Sequence, residues 1–377
     1  MKRSWRCSGK KRSSSECRLI HVVDRVHSAS GVQSDRLDWP DQAILQLESL
    51  SAVLYIAGQM NARTSAMPTT NLQTLHPQVL RAGDAVALVS PAGPVDPVKL
   101  EAAVEVLKGW GLRPRVYPHA LGNYSFYSGT DEERLADLNA ALADPEIRAV
   151  ICNRGGYGVQ RIVTRVDIEA VRRDPKLVTG FSDITALHGA LWNHARLATI
   201  HGPVAAQLGA GGLFVSCMRH ALMSTEPVLL KADPASPTAK VRTGGSAQGL
   251  LLGGNLCILD TSVGTPFMSD MTGAILLIEE VKEPAYRVDR MLTHLGNCGI
   301  LERLAGIAVG EFTPAPNTGG TISPAHVLLE RLGSLGIPVL GGLPVGHGDL
   351  NQAVPLGTQA ILDADAGTLL VAAATRS

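Results

Sequence analysis

From Val79 onward, short apolar runs alternate with stretches of helical period, and this alternation limits the fold more than any other feature of the chain. Asp84-Ala-Val-Ala-Leu-Val-Ser90 is an apolar run that breaks at Pro91-Ala-Gly-Pro94, the pattern of a buried strand ending in a turn. Over 97–110, Val98, Ala102, Val106 and Trp110 recur at four-residue steps and predict a helix. Asp131 to Leu142 repeats that period behind Thr130, a suitable N-cap. Ala149–Cys152 and Leu177–Phe181 read as further apolar strands, and Asp183 to Trp192 as another helix. Parallel strands need crossover connections, and helices between strands supply them. The pattern therefore predicts βα units on a mainly parallel sheet.

At roughly 150 residues per domain, 377 residues allow two to three units. Residues 224–248 are rich in Pro, Ser, Gly and Thr and read as a linker. They divide an N-terminal α/β domain over 77–223 from a smaller C-terminal mixed α/β domain over 249–377. The latter has strands expected at Ala274–Ile278, Ile307–Val309 and Gln359–Leu362 and a helix from Arg287 to Leu295. Residues 1–76 stand apart, with ten Lys or Arg against six Asp or Glu. Their basic, serine-rich opening has no apolar segment directly behind it, so it does not read as a secretory signal. They are expected to form an extension outside the fold.

Hydrophobic residues make up 45% of the chain, enough to build a core and too many for a disordered protein. The 34 basic residues balance 34 acidic ones, so no global field favours nucleic acid or an anionic membrane as partner. No apolar run approaches the ~20 residues of a membrane helix. The six cysteines are scattered without a CxxC pair, so neither a zinc knuckle nor a redox motif is present, and with no HExxH or carboxylate–histidine spacing no metal site is marked. Reduced thiols packed as small hydrophobes fit a cytoplasmic protein.

Four segments carry candidate chemistry. In Val178-Thr-Gly-Phe-Ser-Asp-Ile-Thr185 an apolar strand runs through Gly180 into Ser182 and directly into a helix, the layout of a nucleophile elbow. The helix start offers free N–H groups that stabilise an oxyanion. Ile184 stands where G-x-S-x-G has its second glycine, and a serine that merely caps the helix is the structural alternative. Asn153-Arg-Gly-Gly-Tyr-Gly158 follows a strand, and its glycines let backbone approach a ligand. An oxyanion cradle, a phosphate loop and a plain turn all fit it, although it matches neither G-x-G-x-x-G nor a Walker A sequence. Ile275-Leu-Leu-Ile-Glu-Glu280 ends a strand in two carboxylates. Strand alternation sends one toward a cleft, where it can orient a histidine, and the other toward solvent. Gly346-His347-Gly348 puts an imidazole on an exposed, tight loop, where a general base for neutral pH belongs. His188 and His194 point to different faces of one helix, and His201 reads as a packing residue.

Taken together, these segments resemble the LD-carboxypeptidase family, the S66-type serine peptidases, over about residues 78–375. The resemblance is carried by Ala87-Leu-Val-Ser-Pro-Ala-Gly93, Asn153–Gly158, Gly180-Phe-Ser-Asp-Ile-Thr185, His201-Gly-Pro203, Leu252-Gly-Gly-Asn-Leu256, Ile278-Glu-Glu-Val281 with Tyr286-Arg-Val-Asp-Arg290, and Gly346-His-Gly348. The chain has Glu-Glu where the family pattern is Glu-Asp. The resemblance implies an N-terminal α/β domain and a C-terminal domain with the site between them, a Ser182–Glu279–His347 triad, and oxyanion donors at the backbone N–H groups of Asp183 and Gly155. It also implies a homodimer that needs no metal or cofactor. The implied substrate is a murein tetrapeptide, cut between the L-centre of a diamino acid, diaminopimelate or lysine, and a terminal D-alanine. An exopeptidase needs a cation for the free carboxylate, and Arg154 and Arg287 are the candidates. The rival readings are a microcin-immunity-type serine hydrolase of peptidyl or aminoacyl nucleotides and a non-catalytic phosphate- or sugar-binding protein.

Overall fold

Strand β1 (Ala85–Val89) is buried along its whole length, as a strand must be when helices cover both faces of its sheet. Residues 73–315 and 322–377 are described by a computed structural model. In it β1 is near the centre of a six-stranded sheet. Its other members are β2 (Arg113–Val116), β3 (Ile147–Cys152), β4 (Leu177–Gly180), β5 (Thr199–His201) and β11 (Val354–Leu356), in the order β11-β5-β4-β3-β1-β2. Strands β1 to β5 are mutually parallel, and β11 pairs antiparallel with β5. Alternation along each strand feeds two cores. Ala85, Ala87, Val89, Val150 and Val178 pack on one face, and Val86, Leu88, Ala149, Ile151 and Leu177 on the other.

The chain runs outward from β1 to β2 and then back past β1 to β3, so the strand order reverses between β1 and β3. In such sheets ligands bind beyond the carboxyl ends of the strands at this reversal. The segments there are Pro91–Gly93 after β1 and Asn153–Gly158 after β3, and the Gly93 N–H donates to Gly155 O at 3.1 Å. Ser182 follows β4, the next strand in the sheet.

A seven-stranded sheet holds β6 (Val228–Lys231), β7 (Ser246–Asn255), β8 (Ile275–Val281), β9 (Gly306–Thr313), β10 (Val339–Leu340), β12 (Gln359–Asp363) and β13 (Thr368–Val371), ordered β10-β9-β8-β7-β12-β13-β6. The β7–β10 part is parallel, and the remainder antiparallel. This is the mixed α/β layer expected from the sequence. Both sheets belong to one unit, Leu72–Ser377. Among the described residues no helix is long and apolar enough to cross a membrane.

The chain does not change sheets once, as a linker at 224–248 implies. That stretch contains β6 and the start of β7, because Val228-Leu-Leu-Lys231 is a strand with turns rich in Pro, Ser and Gly behind it. The chain later returns from β10 in the second sheet to β11 in the first, and His347 lies on that return. The extension also ends earlier than residue 76. The Leu75 N–H donates to Arg196 O and the Ala198 N–H to Leu75 O, at 2.8 and 2.9 Å. Residues 1–72, with Cys7 and Cys17, lie outside the described residues.

Candidate active site

Ser182 sits at the tip of the turn after β4 with φ +64°, opening a single 3-10 turn (Ser182–Ile184) that leads straight into the helix Thr185–Ala195. A non-glycine residue in the left-handed region is uncommon and costs energy, and such residues gather at functional sites. The turn is tight because Gly180 has no side chain. A Cβ there would lie 2.9 Å from Ile184 Cγ1 and 3.1 Å from Cys152 Cβ. Ile184 thus fills the space over Gly180, which explains the missing second glycine. From beneath, the buried His188 donates through Nε2 to Gly180 O at 2.9 Å. Burial pushes its pKa down to about 4, so the ring stays neutral and serves as a prop.

Gly155 lies against this elbow. A Cβ on it would stand 2.8 Å from Ser182 Cβ and 3.1 Å from Oγ. Among the described residues no backbone carbonyl accepts the N–H of Gly155 or of Asp183. The Asp183 carboxylate turns inward and accepts from the Val159 N–H at 2.8 Å, tying the end of the glycine loop to the elbow. Burial raises the Asp183 pKa, against the Val159 hydrogen bond and the charge of Arg134. Arg134, buried in the helix Asp131–Ala143, is a second tie. Its guanidinium donates to Pro91 O and, at 3.0 Å, to Gly158 O, and stacks on the Tyr127 ring. Its position in an amphipathic helix gave no sequence signal for this, since arginine there reads as a solvent-facing residue.

Glu279, at the end of β8, is fully buried, and its Oε2 lies 2.6 Å from His347 Nδ1. Gly346 makes this contact fit: its φ is +112°, and a Cβ there would lie 2.5 Å from Glu279 Oε2. The Gly346 N–H donates to Asn351 Oδ1 at 3.0 Å, anchoring the histidine loop. His347 is not the exposed residue its loop suggests. Its side chain is 17% accessible, with the Phe181 ring 4.7 Å from its own, centroid to centroid. Burial lowers the His347 pKa, but the hydrogen bond to Glu279 and the charges of Glu279 and Glu280 outweigh it, and the net shift is upward. Glu280 does not face solvent. It is buried on the other side of β8, where it accepts from Asn255 Nδ2, the Cys257 N–H and its neighbour's Val281 N–H. Those donors replace the water that the alternation argument assigned to it.

Ser182, His347, Phe181, Arg154, Gly155 and Gly156 line one open cleft of about 570 Å³, together with Asp96, Lys99, Val204, Ala206, Gln207 and Val281. The Ser182 hydroxyl makes no hydrogen bond to the imidazole here; such contacts often tighten only with substrate bound. Arg154 reaches Pro94 O at 2.8 Å beside the glycine loop. Arg287 does not line the cleft. It pairs at 2.9 Å with Glu283, which lies just ahead of the helix Ala285–Asn297 that carries Arg287. His201 is buried against Phe181, as a packing residue is. Asp96 and Lys99, both on the cleft wall, drew no attention in the sequence because exposed charges at a helix start are common.

Fold and site together define a serine-type peptidase. The chain belongs to the LD-carboxypeptidase family of S66 peptidases: the model of that family's N-terminal domain matches residues 86–202, and that of its C-terminal domain residues 248–362. A putative carboxypeptidase of Streptomyces coelicolor is 40% identical over 304 residues, covering 79% of this chain and 96% of that protein. The murein tetrapeptide carboxypeptidase of Pseudomonas aeruginosa is 34% identical, covering 74% and 92%. Among solved structures, the muramoyltetrapeptide carboxypeptidase of Oxalobacter formigenes superposes with a TM-score of 0.69 at 28% identity, covering 78% of this chain and all of that one. The microcin C7 self-immunity protein MccF shares the fold, with a TM-score of 0.72 at 21% identity, covering 79% and 98%.

Proposed function

We propose that the protein is a serine carboxypeptidase that releases the terminal D-alanine of murein tetrapeptides by cutting an L,D-peptide bond. The observation that carries this reading is the buried Glu279–His347 pair opening into the same cleft as the strained Ser182. Its sequence likeness to a murein tetrapeptide carboxypeptidase supplies the substrate class. The likeness to MccF, at 21% identity, supports only a common fold. We place the activity in the cytoplasm, which keeps thiols reduced; the four described cysteines are unpaired.

A serine hydroxyl is a weak nucleophile at neutral pH and needs a base. With Nδ1 held by Glu279, His347 keeps its proton there and presents Nε2 as the acceptor for the Ser182 proton. As Ser182 Oγ attacks the scissile carbonyl, charge develops on the carbonyl oxygen, and the N–H groups of Gly155 and Asp183 receive it. His347 returns the proton to the departing D-alanine amine. A water then attacks the acyl-enzyme ester with His347 again as base, freeing the tripeptide and the hydroxyl. Arg154 binds the terminal carboxylate, which restricts cutting to the chain end.

Incubation with a murein tetrapeptide, followed by mass spectrometry, is expected to show the loss of one alanine. An unchanged peptide would reject the reading. The pH profile has a defined sign. The base is active when neutral, and the His347 pKa lies above the ordinary imidazole value. kcat/KM should therefore fall on acidification, with a midpoint above the usual ~6.5. A rate that stays flat between about pH 5 and 8 would remove His347 from the role of base. The oxyanion assignment has its own test. Gly155→Ala places a methyl 2.8 Å from Ser182 Cβ, so either the loop carrying the donor or the nucleophile must shift. Misplacing one donor predicts a loss in kcat of about 10²–10³-fold, read in single-turnover assays.

A further inference from the structure

The proposed nucleophile and the acid that orients its base belong to different sheets. Ser182 follows β4 in the first, whereas Glu279 ends β8 in the second and holds His347. A proton passes from hydroxyl to imidazole only at hydrogen-bond distance, so the elbow must be fixed against the end of β8. One buried side chain spans that gap. Thr185 directly follows the 3-10 turn Ser182–Ile184 and opens the helix Thr185–Ala195. Its buried Oγ1 accepts the backbone N–H of Asn255 at 3.0 Å. Asn255 ends β7 beside Glu279, its register partner in β8. Among the described residues this is the only hydrogen bond that joins residues 180–185 to either β7 or β8. The strand is shaped for the approach: Gly254 has φ +141°, and a Cβ on it would lie 2.5 Å from Thr185 Oγ1.

Asn255 is itself held in place. Its Nδ2 donates to Glu280 Oε1 at 2.9 Å, and its Oδ1 accepts from the Ile258 N–H at 3.2 Å, capping the helix Leu256–Ser262. Chain and hydrogen bonds together make an unbroken path from Ser182 through Thr185, Asn255, Glu280 and Glu279 to His347. We propose that Thr185 is a positioning residue: its hydroxyl fixes the elbow against the end of β8, so that Ser182 Oγ meets His347 Nε2 when substrate binds. The inference rests on the Ser182–Glu279–His347 reading of the site. Thr185 hydrogen-bonds to neither the imidazole nor its carboxylate, so losing the tie should lower kcat while KM and the titration of the base stay in place.

Thr185→Val keeps the branched shape and deletes the acceptor, and Thr185→Ser restores the oxygen. Both are assayed on a murein tetrapeptide well below the melting temperature of each variant. Thr185→Val should lose about 10–10²-fold in kcat, the scale of a misplaced reacting group, with KM and the acid limb of the pH profile near their wild-type values. Thr185→Ser should keep a kcat close to wild type. Valine leaves the buried Asn255 N–H without an acceptor. Should that prevent folding, Thr185→Ala takes its place, because the space it opens lets a water accept the N–H while the direct tie stays absent. Wild-type kcat in folded Thr185→Val or Thr185→Ala, a loss carried by KM, or an equal loss in Thr185→Ser would each overturn the proposal. The rate at which a phosphonate probe labels Ser182 reads the same alignment without a peptide. If the wild type frees no alanine yet is labelled, the carboxypeptidase reading fails, and the labelling rates still decide the tie: slowed in Thr185→Val and Thr185→Ala but not in Thr185→Ser if it holds, equal in all if it does not. A wild type that neither frees alanine nor is labelled would overturn both.

Discussion

Ser182→Ala is expected to stop D-alanine release from a murein tetrapeptide, with kcat/KM falling by roughly 10⁴–10⁶-fold, while peptide affinity and thermal stability stay close to wild type. Only the hydroxyl is lost. The cleft walls, the proposed Gly155 and Asp183 donors and the proposed Arg154 cation remain, so binding should survive. Stability is unaffected because alanine keeps the Cβ and with it the strain of φ +64°. Ser182→Gly separates the two properties. Glycine adopts a left-handed backbone freely, so this variant should be as inactive as the alanine one yet more stable, by ~1 kcal/mol. Calorimetry beside the alanine-release assay reads both quantities. Turnover within tenfold of wild type in either variant would exclude a serine mechanism. A lower melting temperature for Ser182→Gly would show that the turn conformation is no burden on the fold.

The parts of this machinery differ in how far the sequence announces them. The strands did so clearly, because a sheet covered on both faces demands continuous apolar runs. β1 is one throughout, β3 has one over Ala149–Cys152, β8 has one up to its two glutamates, and β4 keeps only Leu177 and Val178 ahead of Thr179 and Gly180. The elbow was legible for a related reason: strand, glycine, serine and helix follow one another within a few residues, so the geometry is local. The Glu279–His347 contact is 68 residues apart in sequence and came from the family resemblance; periodicity and spacing do not bring the two together. Alternation placed Glu279 and Glu280 on opposite faces of β8 but said nothing of what covers each face, so Glu280 was assigned to solvent when Asn255 and two backbone donors enclose it. The same lack of long-range information made Arg287 a cleft cation and passed over Lys99. Both are exposed helical charges, and only the packing of the helices decides which borders the cleft. The linker failed differently. Residues 224–248 have the composition of a crossing, but a four-residue strand is enough to add an edge to a sheet, and Val228–Lys231 does so beside β13.

Glu279→Gln is the second large effect, and it tests the charge of the proposed triad apart from its shape. Glutamine has nearly the same volume, so the buried site at the end of β8 stays filled. What changes is that no negative charge faces the imidazole, and that one end of the side chain becomes a hydrogen-bond donor, where a carboxylate can only accept. If the amide nitrogen faces Nδ1, the imidazole proton moves to Nε2, and the ring no longer offers an acceptor to Ser182. A wrong tautomer of this kind is worth about 10⁴-fold in kcat. If the amide oxygen faces Nδ1, the tautomer survives, but the imidazolium formed during proton transfer loses its counter-charge in a low-dielectric setting and the barrier still rises. Both arrangements move the pH profile the same way. The hydrogen bond to Glu279 and its charge hold the His347 pKa up against burial, and with them gone burial dominates while only the more distant Glu280 still opposes it. The acid limb of kcat/KM should therefore shift to lower pH in Glu279→Gln, so that the loss relative to wild type is greatest near neutrality and narrows on acidification. A limb that keeps its wild-type midpoint, whatever the drop in rate, would mean that the titrating base is not the imidazole held by Glu279.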